Sequence, residues 1–391
     1  MLDMVTTFLQ SEIQDPYKIY ETMLSDNPVY WDNENKLWAI YSYESCKAIL
    51  SNSFAHIPAI NPNNKDGLNE YALMMTSQFV RLSNGIQHEL AREAAVLLLD
   101  KMNTTPTNEE AERLLQNRDD KDEIDWVNSI CKKLPVLVVL KSFGFNDIDC
   151  DFIADRIEQF VKIMLPNKTS EQVNAINEVS KEIYLITEKH LMSTNIYKSV
   201  IKTLSEKYKT ETDKIVSLCV SNLIGLSAIQ GYDANRGLLS NSLLQILNHR
   251  NCLSQDVTNK EYLLKSVIET LRFDSPVHNT RRVAVDNIIL NDVVIKNGEA
   301  IFIVLAAANR DTKKFANPNI FDISRTNNNE HLTFGIGGHR CPANNFSVNL
   351  ATGTLYYFFE RFKKFKLLDN NIQYEPTINV RLPKRILISL S

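Results

Sequence analysis

Glycine is scarce, with 11 in 391 residues, and the six cysteines are scattered. Cys46, Cys131, Cys150, Cys219, Cys252 and Cys341 form no CxxC and no Cys/His group with zinc spacing. Five of them read as reduced, buried, small hydrophobes; Cys341 has different surroundings. An excess of basic charge is also missing. Lys and Arg number 43 against 47 Asp and Glu, a net charge of -4. A phosphate-binding face needs net positive charge, so nucleic acid is not the expected partner. No uncharged apolar run reaches the roughly 18–20 residues that span a bilayer. Residues 1–14 carry Asp3 and Glu12 and no basic stretch ahead of an apolar block. Neither a signal peptide nor a membrane anchor is expected, and the expected compartment is the cytoplasm. Repeats and low-complexity segments are absent as well.

What is present is an ordinary globular balance, 44% hydrophobic and 23% charged. Helical periodicity fills the first two-thirds of the chain. Residues 29–31 and 37–41 are short and aromatic on either side of Asp32-Asn33-Glu34-Asn35, which predicts a β-hairpin. Residues 52–82 lack periodicity and predict a long functional loop. Helices are expected over 88–100, 124–143, 149–164, 170–190, 196–208 and 262–273. The longest pattern, 214–249, is broken only by Gly225, Gly231 and Gly237 and predicts a long central helix. Residues 280–304 alternate and predict a small sheet. A last helix is expected over 342–362 and a strand over 377–390. The expected class is mainly α with a small β region, in a single domain over 1–391.

The chemistry concentrates in Phe334-Gly335-Ile336-Gly337-Gly338-His339-Arg340-Cys341-Pro342-Ala343. Three glycines let the backbone bend tightly and approach a flat ligand. Cys341 is placed just ahead of a helix start, where N–H groups and the dipole favour a thiolate. Pro342 suits the first helical position. His339 and Arg340 add positive charge. A thiolate held in this way is a nucleophile or a metal ligand; the plainer possibility is a glycine turn with a buried cysteine.

These residues resemble the haem-binding loop of the cytochrome P450 family, FGxGxHxCxG. Phe334, Gly335, Gly337, His339 and Cys341 fall in place, and only the last glycine differs, as Ala343. The resemblance implies the P450 fold, with haem b between the long central helix and the cysteine loop. It implies that Cys341 is the axial metal ligand, which favours O–O cleavage. Phe334 and Gly335 would lie beside the sulfur and His339 would bond a haem propionate. Glu269 and Arg272, three apart on one helix face, resemble the family's ExxR pair. Arg325 fits the third member, and the triad would brace the cysteine loop. His88 and Arg92, one turn apart, and Arg282 suit the propionates. Ala308-Asn309-Arg310-Asp311 resembles another family stretch.

The long helix holds the departure. Gly231-Tyr232-Asp233-Ala234-Asn235 aligns with the family's [AG]GxxT segment, because Asn241-Ser242-Leu243-Leu244 follows it. Gly231 falls at the oxygen-binding distortion, Asp233 at the acidic position, and Ala234 where threonine is usual. Splitting dioxygen needs protons, and the threonine hydroxyl normally holds the water that supplies them. A methyl group does neither job. Three readings stand: a substrate hydroxyl or ordered water replaces threonine; the Asn235 amide reaches in; or the enzyme couples radicals or desaturates without inserting oxygen. Ala234 also makes room for a bulky substrate. Arg236 is not followed by proline, which disfavours a dedicated peroxygenase.

By the same resemblance Leu226, Ile229, Gln230, Val277, His278, Asn279, Ile378 and Asn379 line the substrate pocket. His278 and Asn279 point to a functionalised substrate such as a natural-product intermediate, or simply to strand hydrogen bonds. Electrons are expected from NAD(P)H through a separate ferredoxin and ferredoxin reductase, with Arg340 a docking candidate and the protein a monomer. A haem sensor or electron carrier is the contrasting class, and Asp233 argues against it.

Overall fold

Side-chain caps written in the sequence start several helices. Asp15 accepts the Tyr17 N–H and Pro16 opens Pro16–Asp26. Asn146 accepts the Asp149 N–H at the head of Asp147–Phe160. Thr169 and Gln172 form a reciprocal capping box ahead of Ser170–Ser193. The computed structural model describes residues 6–59, 67–103, 107–116, 123–165, 167–249 and 257–390.

These residues gather into two compact units. The first comprises Met1–His56, Ala111–Lys132 and Asp233–Ser391. Its sheet runs Val29–Asp32, Leu37–Ile40, Ala300–Ile303, Thr280–Ala284, Ala55–His56 in spatial order. Leu37–Ile40 pairs in parallel with Ala300–Ile303, so the N-terminal hairpin is completed by chain more than half the sequence away. One face of this sheet packs Ile40, Cys46, Ile49, Ala284, Ile301 and Phe315 into a core. The other packs Tyr20, Met23, Ala39, Tyr41 and Phe302. The helices Lys260–Phe273 and Asn344–Arg361 belong to the same unit.

The second unit, Ile57–Glu110 and Lys133–Tyr232, is helical. It contains Glu70–Gln78, Gly85–Leu99, Leu134–Ser142, Asp147–Phe160, Ser170–Ser193, Asn195–Tyr208 and Thr212–Ile224. Leu134–Ser142 is apolar on nearly all sides and almost wholly buried, as such a helix must be.

The structure departs from the periodicity in four places. Glu70–Gln78 is a helix inside the expected loop, started by Asn69 accepting the Ala72 N–H. Residues 124–143 are not one helix: strand Glu123–Asp125 pairs with Leu387–Ser389, and a π-turn Val127–Cys131 precedes Leu134–Ser142. Pro135 supplies no N–H, which favours a fresh helical start there. The tail contributes only strand Leu387–Ser389 and two isolated bridges, Val277 to Val380 and Tyr374 to Pro383. The last helix begins at Asn344 rather than at Pro342.

Thr212–His249 is one helical run of 38 residues, long and apolar enough by composition to cross a membrane, with 78% of its most apolar window buried in the fold. Charges at Asp213, Lys214, Asp233 and Arg236 interrupt it. It is built as a core helix.

Candidate active site

Two glycines shape the segment around Cys341. Gly335 and Gly337 have φ of +66° and +69°, a left-handed conformation that a Cβ disfavours. Gly337 has a second requirement. A Cβ there would stand 2.9 Å from the Leu50 carbonyl oxygen, so the loop lays bare backbone on the end of Tyr43–Leu50. The Cys341 N–H donates to the Phe334 carbonyl at 2.8 Å, and the Gly335 N–H to Leu332 at 2.7 Å. A 3-10 turn over Gly337–His339 closes with the Arg340 N–H on Gly337 at 3.1 Å. Because the helix starts at Asn344, Cys341 stands three residues ahead of it. The helix dipole falls off within about a turn, so it contributes less at Cys341 than a Pro342 start implied.

Cys341 is half-buried, whereas Cys46, Cys131, Cys150 and Cys219 are buried. Burial pushes the Cys131, Cys150 and Cys219 thiols up to about 12, which keeps them neutral. Cys252 lies outside the described residues.

The structure brings Glu269, Arg272 and Arg325 together. Arg272 grips Glu269 through Nη2 at 2.6 Å and Nε at 3.0 Å, with both side chains fully buried. The rest of the fork donates to the carbonyls of Asn309, Pro318 and Ile320. Glu269 also accepts the Asp322 N–H at 3.0 Å and lies 3.6 Å from Arg325 Nε. Arg325 in turn donates to the carbonyls of Ala316 and Asn317. Asn309 extends the brace: its amide donates to Ser275 and Thr333 hydroxyls, and its oxygen accepts the Leu332 N–H at 2.7 Å. A continuous set of bonds thus runs from Lys260–Phe273 to Leu332, two residues before Phe334.

Arg282 is buried on strand Thr280–Ala284, donating to the Arg281 carbonyl at 2.7 Å and to Thr280 Oγ1 at 3.2 Å. In the second unit His88 and Arg92 share one face of Gly85–Leu99, with His88 buried.

The long helix changes form just ahead of Ala234, where the sequence departs from the family pattern. Gly225–Ile229 is a π-turn, closed by the Gln230 N–H on the Gly225 carbonyl at 2.8 Å. Helix resumes at Tyr232, so Gln230 and Gly231 form the break. Such π-bulges frequently mark functional sites. Leu226 is half-buried and Ile229 buried. Asp233 and Ala234 are half-buried and Asn235 is buried. Asp233 pairs with Arg236 at 3.4 Å on the same helix face. The sequence reading passed over this partner, although the i,i+3 spacing is that of Glu269 and Arg272.

The proposed polar pocket at His278 and Asn279 is a correction. His278 is fully buried, with Nδ1 bonded to the Tyr20 hydroxyl at 2.9 Å and Nε2 to Tyr17 at 3.5 Å. Its backbone N–H takes the Asn379 carbonyl and its carbonyl takes the Ala306 N–H. Burial, reinforced by Arg381 and Arg310, holds its charged form well below the usual histidine range. Asn279 donates to the Ile378 carbonyl at 2.8 Å. Both polar side chains are spent on the fold. Val277 and Ile378 pack against core clusters.

These residues fit a haem. Among the described residues no group of three His, Cys, Asp or Glu side chains is placed to hold a metal ion. A metal on Cys341 would therefore bring its other ligands with it, as a porphyrin iron does, and the glycine-bare loop and the buried Arg282 cation suit a flat dianion.

Residues 239–387 match the sequence model of the family Cytochrome P450. The biotin biosynthesis cytochrome P450 of Bacillus subtilis (strain 168) is 26% identical over 382 residues, spanning 94% of each chain. Cytochrome P450 119 of Sulfurisphaera tokodaii is 27% identical over 381 residues, 91% of this chain and 96% of that one. Among solved structures, P450BioI bound to an acyl carrier protein carrying hexadec-9Z-enoic acid superposes with a TM-score of 0.80 at 22% identity, covering 98% of this chain and 100% of that one. Residues 239–387 belong to the cytochrome P450 family, and the chain has its fold. It is a P450 monooxygenase, an oxidoreductase whose family implies a haem.

Proposed function

We propose that this enzyme takes dioxygen and two electrons from separate redox proteins and oxidises a small organic molecule, with proton delivery that does not use a helix threonine. The observation that carries this reading is the segment 231–236, in which Ala234 offers a methyl group beside an Asp233 carboxylate paired with Arg236 at 3.4 Å. When bound, haem supplies the oxygen-activating iron, with Cys341 as its thiolate ligand. His339 and Arg282 would hold its propionates. Asp233 relays the proton: Arg236, 3.4 Å away, aims its side chain between turnovers, and a swing away from Arg236 brings the carboxyl to a water, from which it takes a proton and passes it on. The hydroxyl that threonine would provide comes from the substrate or from that water.

A natural-product intermediate is the proposed substrate class, and a ferredoxin with its reductase the proposed donor. In the balanced reaction one oxygen atom enters the product and the other leaves as water with two protons. Turnover under isotopically labelled dioxygen, with a substrate found by its spectral shift of the haem, tests this. Label in the product is expected. Unlabelled, coupled or desaturated product favours the radical alternative. Ala234→Thr is expected not to raise the coupling of electrons to product; a clear rise would remove substrate assistance.

A further inference from the structure

The run Ala308-Asn309-Arg310-Asp311 carries three polar side chains in succession, and all three are buried. Buried polar groups are costly unless they are bonded, so each must have a use. Asn309 serves the segment that leads to Cys341, through the Leu332 N–H and the Thr333 hydroxyl. Arg310 closes the end of Lys260–Phe273. Its Nε and Nη2 donate to the Phe273 carbonyl at 2.8 and 2.6 Å, and the guanidinium lies 3.6 Å over the Phe273 ring.

Asp311 reaches a third element. Its Oδ2 accepts the Tyr43 N–H at 2.9 Å, and its Oδ1 accepts the Lys313 N–H at 2.9 Å. Tyr43 is the first residue of the helix Tyr43–Leu50. Ser42 stands at the N-cap position of that helix but makes no capping bond with its side chain. Asp311, 268 residues away, supplies the cap instead, and a carboxylate suits the positive end of the helix dipole. The capped helix is the platform of the cysteine loop. At its far end the Leu50 carbonyl meets the bare backbone of Gly337. Ile336 packs against the apolar cluster that holds Tyr43, Ile49, Leu50 and Leu332. At the near end the Tyr43 hydroxyl donates to the Glu330 carbonyl at 2.8 Å. Two residues of one run therefore hold the loop from two sides: Asn309 grips residues 332–333 directly, and Asp311 fixes the helix on which Gly337 rests.

We infer that Asp311 and Tyr43 are positioning residues for the haem ligand: they form a second brace of the cysteine loop and keep Cys341 in its ligating place. Their bonds involve none of Glu269, Arg272 and Arg325, so the two braces can fail independently. This inference rests on the reading of Cys341 as the thiolate ligand and deepens it.

The test uses the haem-loaded full chain, reduced under carbon monoxide. The spectrum of that complex separates thiolate ligation from neutral-thiol ligation. Its conversion to the thiol form, in which Sγ takes a proton from solvent, is timed in mild urea. Asp311→Ala removes the cap. Tyr43→Phe removes only a hydroxyl, so the inference is still tested if Asp311→Ala is too weakly folded to load haem. Asp15→Ala deletes the N-cap of Pro16–Asp26 in the same unit and is the control. Asp311→Ala and Tyr43→Phe are each expected to speed conversion about fivefold, the rate equivalent of ~1 kcal/mol for one cap or one hydrogen bond. Asp15→Ala is expected to leave the rate unchanged. An unchanged rate in either of the first two variants overturns the inference. So does an equal acceleration by Asp15→Ala, which would make the effect one of general stability. The reading of Cys341 fails separately, if the wild-type chain gives no thiolate-ligated spectrum.

Discussion

Replacing Arg272 by leucine strips five hydrogen bonds from one buried point. Two end on Glu269, at 2.6 and 3.0 Å, and three on the carbonyls of Asn309, Pro318 and Ile320. The fully buried Glu269 keeps only the Asp322 N–H at 3.0 Å and Arg325 Nε at 3.6 Å. Removing one partner of a buried ion pair costs about 3–5 kcal/mol. The two buried carbonyls, of Asn309 and Pro318, left unpaired add on the order of 1 kcal/mol each. The total, roughly 5–7 kcal/mol, is comparable with the whole stability of a typical domain, ~5–15 kcal/mol. Arg272→Leu is therefore expected to lose most of its folded population, read as a collapse of the urea midpoint, and to retain little haem. Glu269→Leu/Arg272→Leu removes the stranded charge as well. It is expected to be more stable than Arg272→Leu alone, because an apolar replacement of a buried pair costs less than its breakage. A loss below about 1 kcal/mol in the single variant, or a double variant no better than the single, would refute the reasoning.

Three further outcomes are expected. Gly337→Ala meets both a φ of +69° and the Leu50 carbonyl at 2.9 Å, neither of which a side-chain rotation relieves; it is expected to lower haem retention and cost at least about 1–3 kcal/mol against the wild type by denaturant melts, and to lose more than Gly298→Ala, which shares a positive φ of +86° but whose Cβ meets nothing within 4 Å. Stability is expected to fall as pH drops below about 6.5, because the unfolded chain protonates His278 there while the folded chain, with its depressed pKa, does not. The slope this residue adds is at most about 1.4 kcal/mol per pH unit; His278→Phe should melt with a shallower acid slope, and an unchanged slope would contradict the assignment. Asp233→Asn is expected to slow turnover at least tenfold with the haem spectrum intact; unchanged turnover would remove Asp233 from the proton path.

Much of this site was legible from spacing. Glu269 and Arg272 announce a shared helix face, and the glycines around Cys341 announce a backbone that must bend. The capped helices Asp147–Phe160 and Ser170–Ser193 fell within a few residues of expectation, whereas Glu70–Gln78, capped by Asn69, did not. What escaped the reading had no local signature. A π-turn differs from an α-turn by one residue of slack, which periodicity over 214–249 does not register. His278 reads the same whether it faces a ligand or two tyrosines, since the tyrosines lie more than 250 residues away. Gln230 was placed near the substrate, but what fixes its amide became visible only in the structure: Oε1 accepts the Arg81 N–H at 3.0 Å, and a Cβ at Gly225 would stand 2.2 Å from Nε2.

The Thr212–His249 run also governs how the chain is made. Its C-terminal half is closed over by residues far downstream: Gly237 packs on Leu382, and Asn241 bonds the Arg381 carbonyl. Those residues leave the ribosome roughly 130 positions after the helix does, a wait of roughly 7–25 s at typical synthesis rates. For that interval the nascent chain carries 38 residues with the hydropathy of a membrane span and no finished shelter. Cooler or slower expression, which gives chaperones time to cover this helix, should raise the yield of folded enzyme more than any change at the surface.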